Sequence, residues 1–319
     1  MRNREMKRML AQAPKLTAAQ RLVLLRALQT QGDVAEVVNV VQAHLDASPT
    51  CPHCQGRHVV RNGQASELQR YKCRGCAKTF NALTGTPLAR LRHKAKWLTQ
   101  AQVLREGLSV HQAAERLDVA ASTAFRWRHR FLQLPQSAKA RVLLGVVEAD
   151  ETYFLRSYKG QQVKVRTRRR RGGSAAKRGL SDEQVPVLVA RDRSGATTDF
   201  VLEVANKAHE LAALAPVLSS DAILCSDGGG ALAAVARKLG IEHHVLNMSK
   251  GRRVQGPWHI QNVNAYHGRL KAWMARFKGV ATSYLASYLG WFRACDRSAQ
   301  TPGQAASMLA LAVGASGRP

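Results

Sequence analysis

VLLGVVEADETYF, residues 142–154, reads as a buried strand that ends in acids. The run is short, apolar and β-branched, as a strand inside a sheet requires. Asp150 stands at its end, within Glu148-Ala149-Asp150-Glu151. A second short apolar run, AILCSD at 222–227, also closes on an acid, Asp227, and three glycines follow it. Each motif alone is weak, because Asp-Gly is common in turns and Glu-Ala-Asp-Glu can be solvated. Together, in a chain poor in acids, they suggest a shared hard-cation site, since Mg2+ takes carboxylate oxygens and keeps several waters. VPVLVARD (185–192) and TTDFVLEV (197–204) lie between them and read as a hairpin pair, so the carboxyl half is expected to be a mixed-sheet α/β domain.

Candidates for a third ligand are few. After Asp227 the only acids are Glu242, in the strand-like IEHHVLN, and Asp296, beyond two long amphipathic stretches at 263–277 and 282–294. Asn264 is the better candidate. In HIQNVNAYHGRLK (259–271), Asn264, His267 or Gly268, and Lys271 recur at three- and four-residue spacing on one helical face. That face offers an amide oxygen to a metal and an ammonium to a phosphate. An asparagine that only caps or meets solvent is the plainer alternative.

Upstream, Cys51-Pro-His-Cys54 and Cys73-Arg-Gly-Cys76 are two CxxC pairs with 18 residues between them. A tetrahedral Zn2+ needs four soft donors on two tight turns, and this spacing supplies them. One structural zinc is expected, with no open position for a substrate. Tyr71 and Phe80 are expected to pack the small core of this ribbon. Cys225 and Cys295 are isolated, so cysteine usage fits a metal site in a reducing compartment and not a disulfide framework.

LSVHQAAERLDVAASTAFRWRHRFL (108–132) reads as a helix-turn-helix. Ser109 caps a first helix to about Leu117, Asp118-Val119-Ala120 turns, and a second helix runs from about Ser122 to Leu132. Ala113, Leu117, Val119, Phe125, Trp127 and Leu132 are the expected packed positions. Arg126, Arg128, His129 and Arg130 would decorate the second helix for the DNA groove and its phosphates. A helical linker with a solvated basic face is the alternative. Residues 1–48 read as two helices, with Leu22, Leu24, Leu25 and Leu28 on one, Val34, Val37, Val38, Val41 and Leu45 on the other, and a stop at Gly32-Asp33.

Forty-nine Lys and Arg against 21 Asp and Glu give a formal charge of +28, a surplus that calls for a polyanionic partner. No apolar run reaches the roughly 18 residues a membrane span needs, and Arg21 and Arg26 interrupt the first apolar stretch, so neither a membrane partner nor a secretory signal is expected. Eight basic residues lie between Lys164 and Arg178, among them Lys164, Arg166, Arg168, Arg169, Arg170 and Arg171, with no acid between them. Lys250, Arg252 and Arg253 extend the basic set ahead of the Asn264 helix.

Over about residues 50–295 the chain resembles the insertion-sequence 1595 family of transposases, through the CPxC…CxxC ribbon, KTFNALTGTPLARLRHK (78–94), VVEADETYF, the Asp227 motif and HIQNVNAYHGRLK. The resemblance implies a ribonuclease-H-like catalytic domain with an Asp-Asp-third-residue site. In one branch of the family the third residue is Asn, with Lys seven positions later. Asp150, Asp227, Asn264 and Lys271 match that branch. What it implies is Mg2+- or Mn2+-dependent cleavage at element ends and strand transfer, with two ions held by Asp150, Asp227 and Asn264 and a phosphate held by Lys271. The implied partner is double-stranded DNA, both terminal inverted repeats and target, engaged by a homo-oligomer in a nucleoid-associated, cytoplasmic setting. The rivals are a non-enzymatic zinc-ribbon regulator and a branched-DNA nuclease of the same fold. The expected layout is a helical region at 1–48, zinc ribbon at 49–86, helix-turn-helix region at 87–138, catalytic domain at 139–300 and a frayed tail at 301–319.

Overall fold

The computed structural model describes residues 3–46, 49–161, 173, 175–176, 181–246, 254–298 and 305–314. Helices α1 (Asn3–Gln12) and α2 (Ala18–Asp46) come first, then strands β1 (Val59–Ala65), β2 (Leu68–Cys73) and β3 (Thr79–Asn81). Helices α3 (Trp97–Glu106), α4 (Val110–Leu117) and α5 (Ala121–Ser137) follow. The carboxyl half runs β4 (Val146–Leu155), β5 (Gln184–Asp192), β6 (Thr197–Val201), α6 (Lys207–Leu214), β7 (Ile223–Ser226), α7 (Gly230–Leu239) and β8 (Glu242–Val245). A short hairpin, β9 (Val254–Gln255) and β10 (Trp258–His259), leads into α8 (Gln261–Ala275), α9 (Leu285–Ser298) and α10 (Ala305–Val313). The chain forms two compact units: Met1–Glu106 with Ala113–Phe131 and Gln304–Gly317, and Gly107–Gln112 with Leu132–Gly303. Among the described residues no helix is long and apolar enough to cross a membrane.

In the first unit, β1, β2 and β3 make an antiparallel meander whose turns carry the cysteines. Tyr71 and Phe80 are buried and stack at 5.6 Å over Cys51 and Cys73, as the sequence suggested. Helix α4 opens with a reciprocal cap. The Gln112 amide donates to Ser109 Oγ at 3.4 Å, and the Ser109 amide donates to Gln112 Oε1 at 3.0 Å. Asp118 makes the turn at φ 49°, and α5 follows.

Two expectations are corrected in this unit. Gly32-Asp33 does not stop a helix, since α2 runs unbroken through it. An interior glycine costs only about 1 kcal/mol, and Val37 and Val41 bury the distal half. Residues 305–313 are not frayed. Helix α10 buries Met308, Leu309, Ala312 and Val313, the apolar face of an Ala- and Leu-rich segment.

The second unit is built on a five-stranded mixed sheet of order β6-β5-β4-β7-β8. β4, β5 and β6 pair antiparallel, while β7 and β8 join β4 in parallel. This is the ribonuclease-H-like mixed sheet expected of the carboxyl half. One face is dry: Val147, Ala149, Leu188, Ala190 and Leu224 pack with Leu214 of α6 and with Leu232, Val235 and Ala236 of α7. On β4 the alternate residues Glu148, Asp150 and Thr152 point the other way, toward α8. Helix α8 is held from beneath by an aromatic cluster, with Trp273 edge-on to Trp291 of α9 at 4.9 Å and to Phe277 at 4.8 Å.

Candidate active site

The ladder sets the strands that lead to Asp150 and Asp227 side by side: Glu148 of β4 pairs in parallel register with Cys225 of β7. Asp150 stands two residues further along β4, on the face of Glu148, and Asp227 is the first residue after β7, which ends at Ser226. The Asp150 side chain is 17% exposed. Asp227 is exposed, and its Oδ1 accepts the Gly229 amide at 3.0 Å. Gly228 between them has φ +97°, and a Cβ there would lie 2.8 Å from Val245 Cγ1.

The third wall is α8. Its first turn lacks an internal partner for its amides, and Glu148 supplies one from β4. Glu148 Oε2 accepts the Asn262 amide at 2.7 Å and the Val263 amide at 3.0 Å. Oε1 accepts Asn262 Nδ2 at 2.9 Å and Arg193 Nη1 at 3.0 Å, and His259 Nδ1 lies 3.3 Å away. The carboxylate is fully buried. Asn264, half-buried, comes one residue after Val263. His267, one turn on, brings Nδ1 to 3.5 Å from Asp150 Oδ2. Among the described residues its buried Nε2 has no hydrogen-bond partner. Three- and four-residue steps align Asn264, His267 and Lys271, so the stripe that carries Asn264 faces Asp150, and Lys271 extends it into solvent.

Two carboxyls that sequence reasoning missed stand on the opposite face of β4. Glu151 hydrogen-bonds Glu210 of α6. Burial, then the Glu151 charge, pushes Glu210 up to about 8. Burial, with Asp150 next, also raises Glu151. No local pattern marks Glu210, because only the packing of α6 on the sheet brings it to β4. Oxygen donors on one strand, just past another and on one helix suit a hard divalent cation that retains waters.

The four cysteines converge. Their sulfurs all lie within 4.8 Å of one another, with Cys51 to Cys76 at 3.7 Å and Cys54 to Cys73 at 3.6 Å. A tetrahedron with 2.3 Å metal–sulfur arms has edges of about 3.8 Å, so the set fits one zinc. Amides help, that of Cys76 foremost, by drawing the Cys73 thiol down to about 7. Among the described residues this is the one cluster of three or more Cys, His, Asp or Glu ligand atoms so close together.

The basic residues divide. On α5, Arg126 is exposed, and its Nε donates to the Ser122 carbonyl at 3.3 Å. Arg128 is only 1% exposed and Trp127 4%, so Arg128 does not decorate the solvent face as expected. The apolar side of α5 takes its stem and head inward. Arg130 is exposed but turned back, donating to the carbonyls of Pro87 and Ala89. Burial, then the Arg128 charge, lowers His129 to about 4. Lys164, Arg166, Arg168, Arg169, Arg170, Arg171, Lys250, Arg252 and Arg253 lie outside the described residues.

Comparison with known proteins bears on these elements. Residues 142–293 match the ISXO2-like transposase domain, and residues 88–135 match a homeodomain-like domain. The chain is 28% identical over 263 residues to an uncharacterised protein in transposable element ISH50 of Halobacterium salinarum, covering 80% of this chain and 88% of that one. Crystal structures of a pre-cleavage Mos1 transpososome and of the Mos1 strand transfer complex match at 14% identity and TM-score 0.21. They cover 64% and 63% of this chain and 77% and 75% of theirs, and at that score the likeness says nothing of this chain's architecture. The ISXO2-like match runs from just before β4 into α9, the stretch that carries Asp150, Asp227 and Asn264, and over those residues the chain is similar to transposases of that kind.

Proposed function

We propose that the chain cuts DNA at the ends of its insertion sequence and joins the freed ends to target DNA, with Asp150, Asp227 and Asn264 as the ligands of divalent ions. The observation that carries this reading is the parallel register of Glu148 with Cys225, which starts Asp150 and Asp227 from adjacent strands under the Asn264 stripe. Divalent ions held there, Mg2+ or Mn2+, would supply an activated nucleophile and stabilise the leaving oxygen of an in-line displacement. The protein's part is to hold and orient. Asp150 offers carboxylate oxygens from β4 and Asp227 from the turn after β7, Asn264 offers its amide oxygen from the helix, and Lys271 holds a phosphate beside the scissile bond. Water attacks the phosphodiester and releases a 3′-hydroxyl, which then attacks a phosphodiester of the target. Bond count is conserved at each step, and no covalent link to the protein is needed.

The remaining elements serve the duplex. The homeodomain-like segment and the surplus of +28 support DNA binding, with Arg126 on its exposed flank and the basic runs at 164–171 and 250–253 on phosphates. Affinity should fall with salt, at a log–log slope of about −0.9 per phosphate neutralised. A zinc held by Cys51, Cys54, Cys73 and Cys76 fixes the ribbon, and two copies of the chain bring two element ends together. The test is a supercoiled plasmid carrying the element ends, with and without Mn2+. Metal-dependent nicking and joining, lost in Asp150→Ala and Asp227→Ala, is the expected result. Tight binding without cutting would assign the chain to regulation, and cleavage of branched DNA without joining would assign it to repair.

A further inference from the structure

Among the described residues Glu148 is the most heavily bonded carboxylate of the second unit, and it has no part in the reaction as described. It is fully buried, yet its two oxygens receive the Asn262 amide, the Asn262 side chain, the Val263 amide and Arg193, with His259 alongside. A buried carboxylate is costly unless such donors surround it. These donors come from segments remote in sequence: the helix start lies 114 and 115 residues away. Arg193, on the turn between β5 and β6, also donates to the Pro257 carbonyl at 3.0 Å, so the same carboxylate ties the β9–β10 hairpin to the sheet. The juxtaposition is specific. Glu148 stands two residues before Asp150 on one face of β4, and its bond to Val263 stands one residue before Asn264.

We propose that Glu148 is a positioning residue: by capping α8 from β4 it sets the spacing between Asp150 and Asn264, and so the geometry of the ion site. The inference rests on the reading that these two residues share the metal. A negative carboxylate at a helix start also meets the positive end of the helix dipole, which orients α8 as well as anchoring it. An apolar contact would hold the helix without fixing its rotation. Two amide bonds to one oxygen fix both, and displacement of reacting groups by about 1 Å can cost about 100-fold in rate.

The test is a Mn2+ titration of plasmid nicking by the full chain, with hydrogen exchange read over residues 260–266. In Glu148→Gln the volume is kept but an amide N–H now faces donors. About a 100-fold slower nicking and about a tenfold higher Mn2+ midpoint are expected, with unchanged duplex binding and faster exchange at Asn262 and Val263. Glu148→Asp, charged but one methylene short, should recover part of the rate. Asp296→Asn, which loosens the ion pairs to Arg191 and Arg269, should lower the melting temperature without moving the Mn2+ midpoint. Should Glu148→Gln fail to fold, Asn262→Ala keeps the amide cap but removes the side-chain bond to Glu148 Oε1, and should shift the midpoint the same way by several-fold. A wild-type midpoint in Glu148→Gln or Asn262→Ala, or an equal shift in Asp296→Asn, overturns the proposal. Wild-type nicking by Asp150→Ala instead overturns the catalytic reading, and this inference with it.

Discussion

Gly290 of α9 lies against Gln136, so close that a Cβ at 290 would stand 2.5 Å from Gln136 Cα, 2.7 Å from the Pro135 carbonyl oxygen and 2.8 Å from the Gln136 nitrogen. The crossing is also bonded. Ser287 Oγ donates to Gln136 Oε1 at 2.7 Å, and Arg293, paired with buried Asp199, donates to the carbonyls of Pro135, Gln136 and Ala138. Those of Pro135 and Gln136 belong to the last turn of α5, where carbonyls run short of helical partners. Gly290→Ala gains about 1 kcal/mol of helix propensity but overpacks backbone atoms, which costs about 1–3 kcal/mol or more. Because backbone yields least, the loss wins, and the melting temperature should fall by several degrees. Gly268→Ala on α8, where a Cβ meets nothing within 4 Å among the described residues, should hold or raise it. Equal melting of the two variants would show that the helices can part without cost.

What could be read in advance follows a physical divide. The cysteine spacing, the helix-turn-helix, the place of Asp227 just past a short strand and the helical stripe of Asn264, His267 and Lys271 are local patterns, and local patterns reach the sequence. Asp150 was expected at a strand end, but β4 runs on to Leu155, because the residues after Asp150 keep pairing with β5. Glu148 looked like a solvated acid because its partners Asn262 and Val263 are over a hundred residues away. Arg128 looked like a groove reader because composition cannot say which side of α5 is buried; it is 1% exposed. Helix α10 was taken for a frayed end because small residues mark both loose termini and tightly packed helix faces. The hairpin of β9 and β10 has two-residue strands, too short for any periodicity.

Zinc should be required for the ribbon to fold. The core beneath β1, β2 and β3 is little more than Tyr71, Phe80 and two cysteines, and so small a core does not stabilise itself. Structural zinc contributes on the order of 10–16 kcal/mol in such modules. Purified chain should release about one zinc on thiol modification. Chelation or Cys73→Ser should expose residues 51–86 to protease while leaving 142–298 resistant. A metal-free ribbon as resistant as the loaded one would count against the assignment.

His129 should make the stability of the helix-turn-helix acid-sensitive. Burial lowers it to about 4, below its unfolded value of about 6.5, so between those pH values the unfolded chain binds more protons. Stability is then complete above about 6.5 and is lost as pH falls toward 4. Melting curves between pH 7 and 4 should slope downward, and His129→Gln, which cannot titrate, should remove that part of the slope. The edge-on contact with Phe125 at 4.5 Å goes with it, so the variant should start a few degrees lower at pH 7. An unchanged slope would place the acid sensitivity elsewhere.

Gly228 should matter to cutting more than to folding. At φ +97° the backbone is in a region that an L side chain enters only with strain of about 1–3 kcal/mol, and a Cβ there would meet Val245 at 2.8 Å. Val245 is 45% exposed at a sheet edge, so its methyl can move aside and the fold tolerates the change. Asp227 has less freedom, because its carboxylate is held by the Gly229 amide at 3.0 Å, and the two peptides that hold it are the ones that must rotate. Gly228→Ala should therefore bind the element ends normally and melt within a few degrees of the parent, yet nick tenfold to a hundredfold more slowly, the scale of about 1 Å of misplacement. Gly230→Ala, two residues on and with nothing within 4 Å of a Cβ among the described residues, should nick normally. If both variants cut at the parental rate, the turn after β7 does not hold a reacting group, and Asp227 would have to be struck from the site.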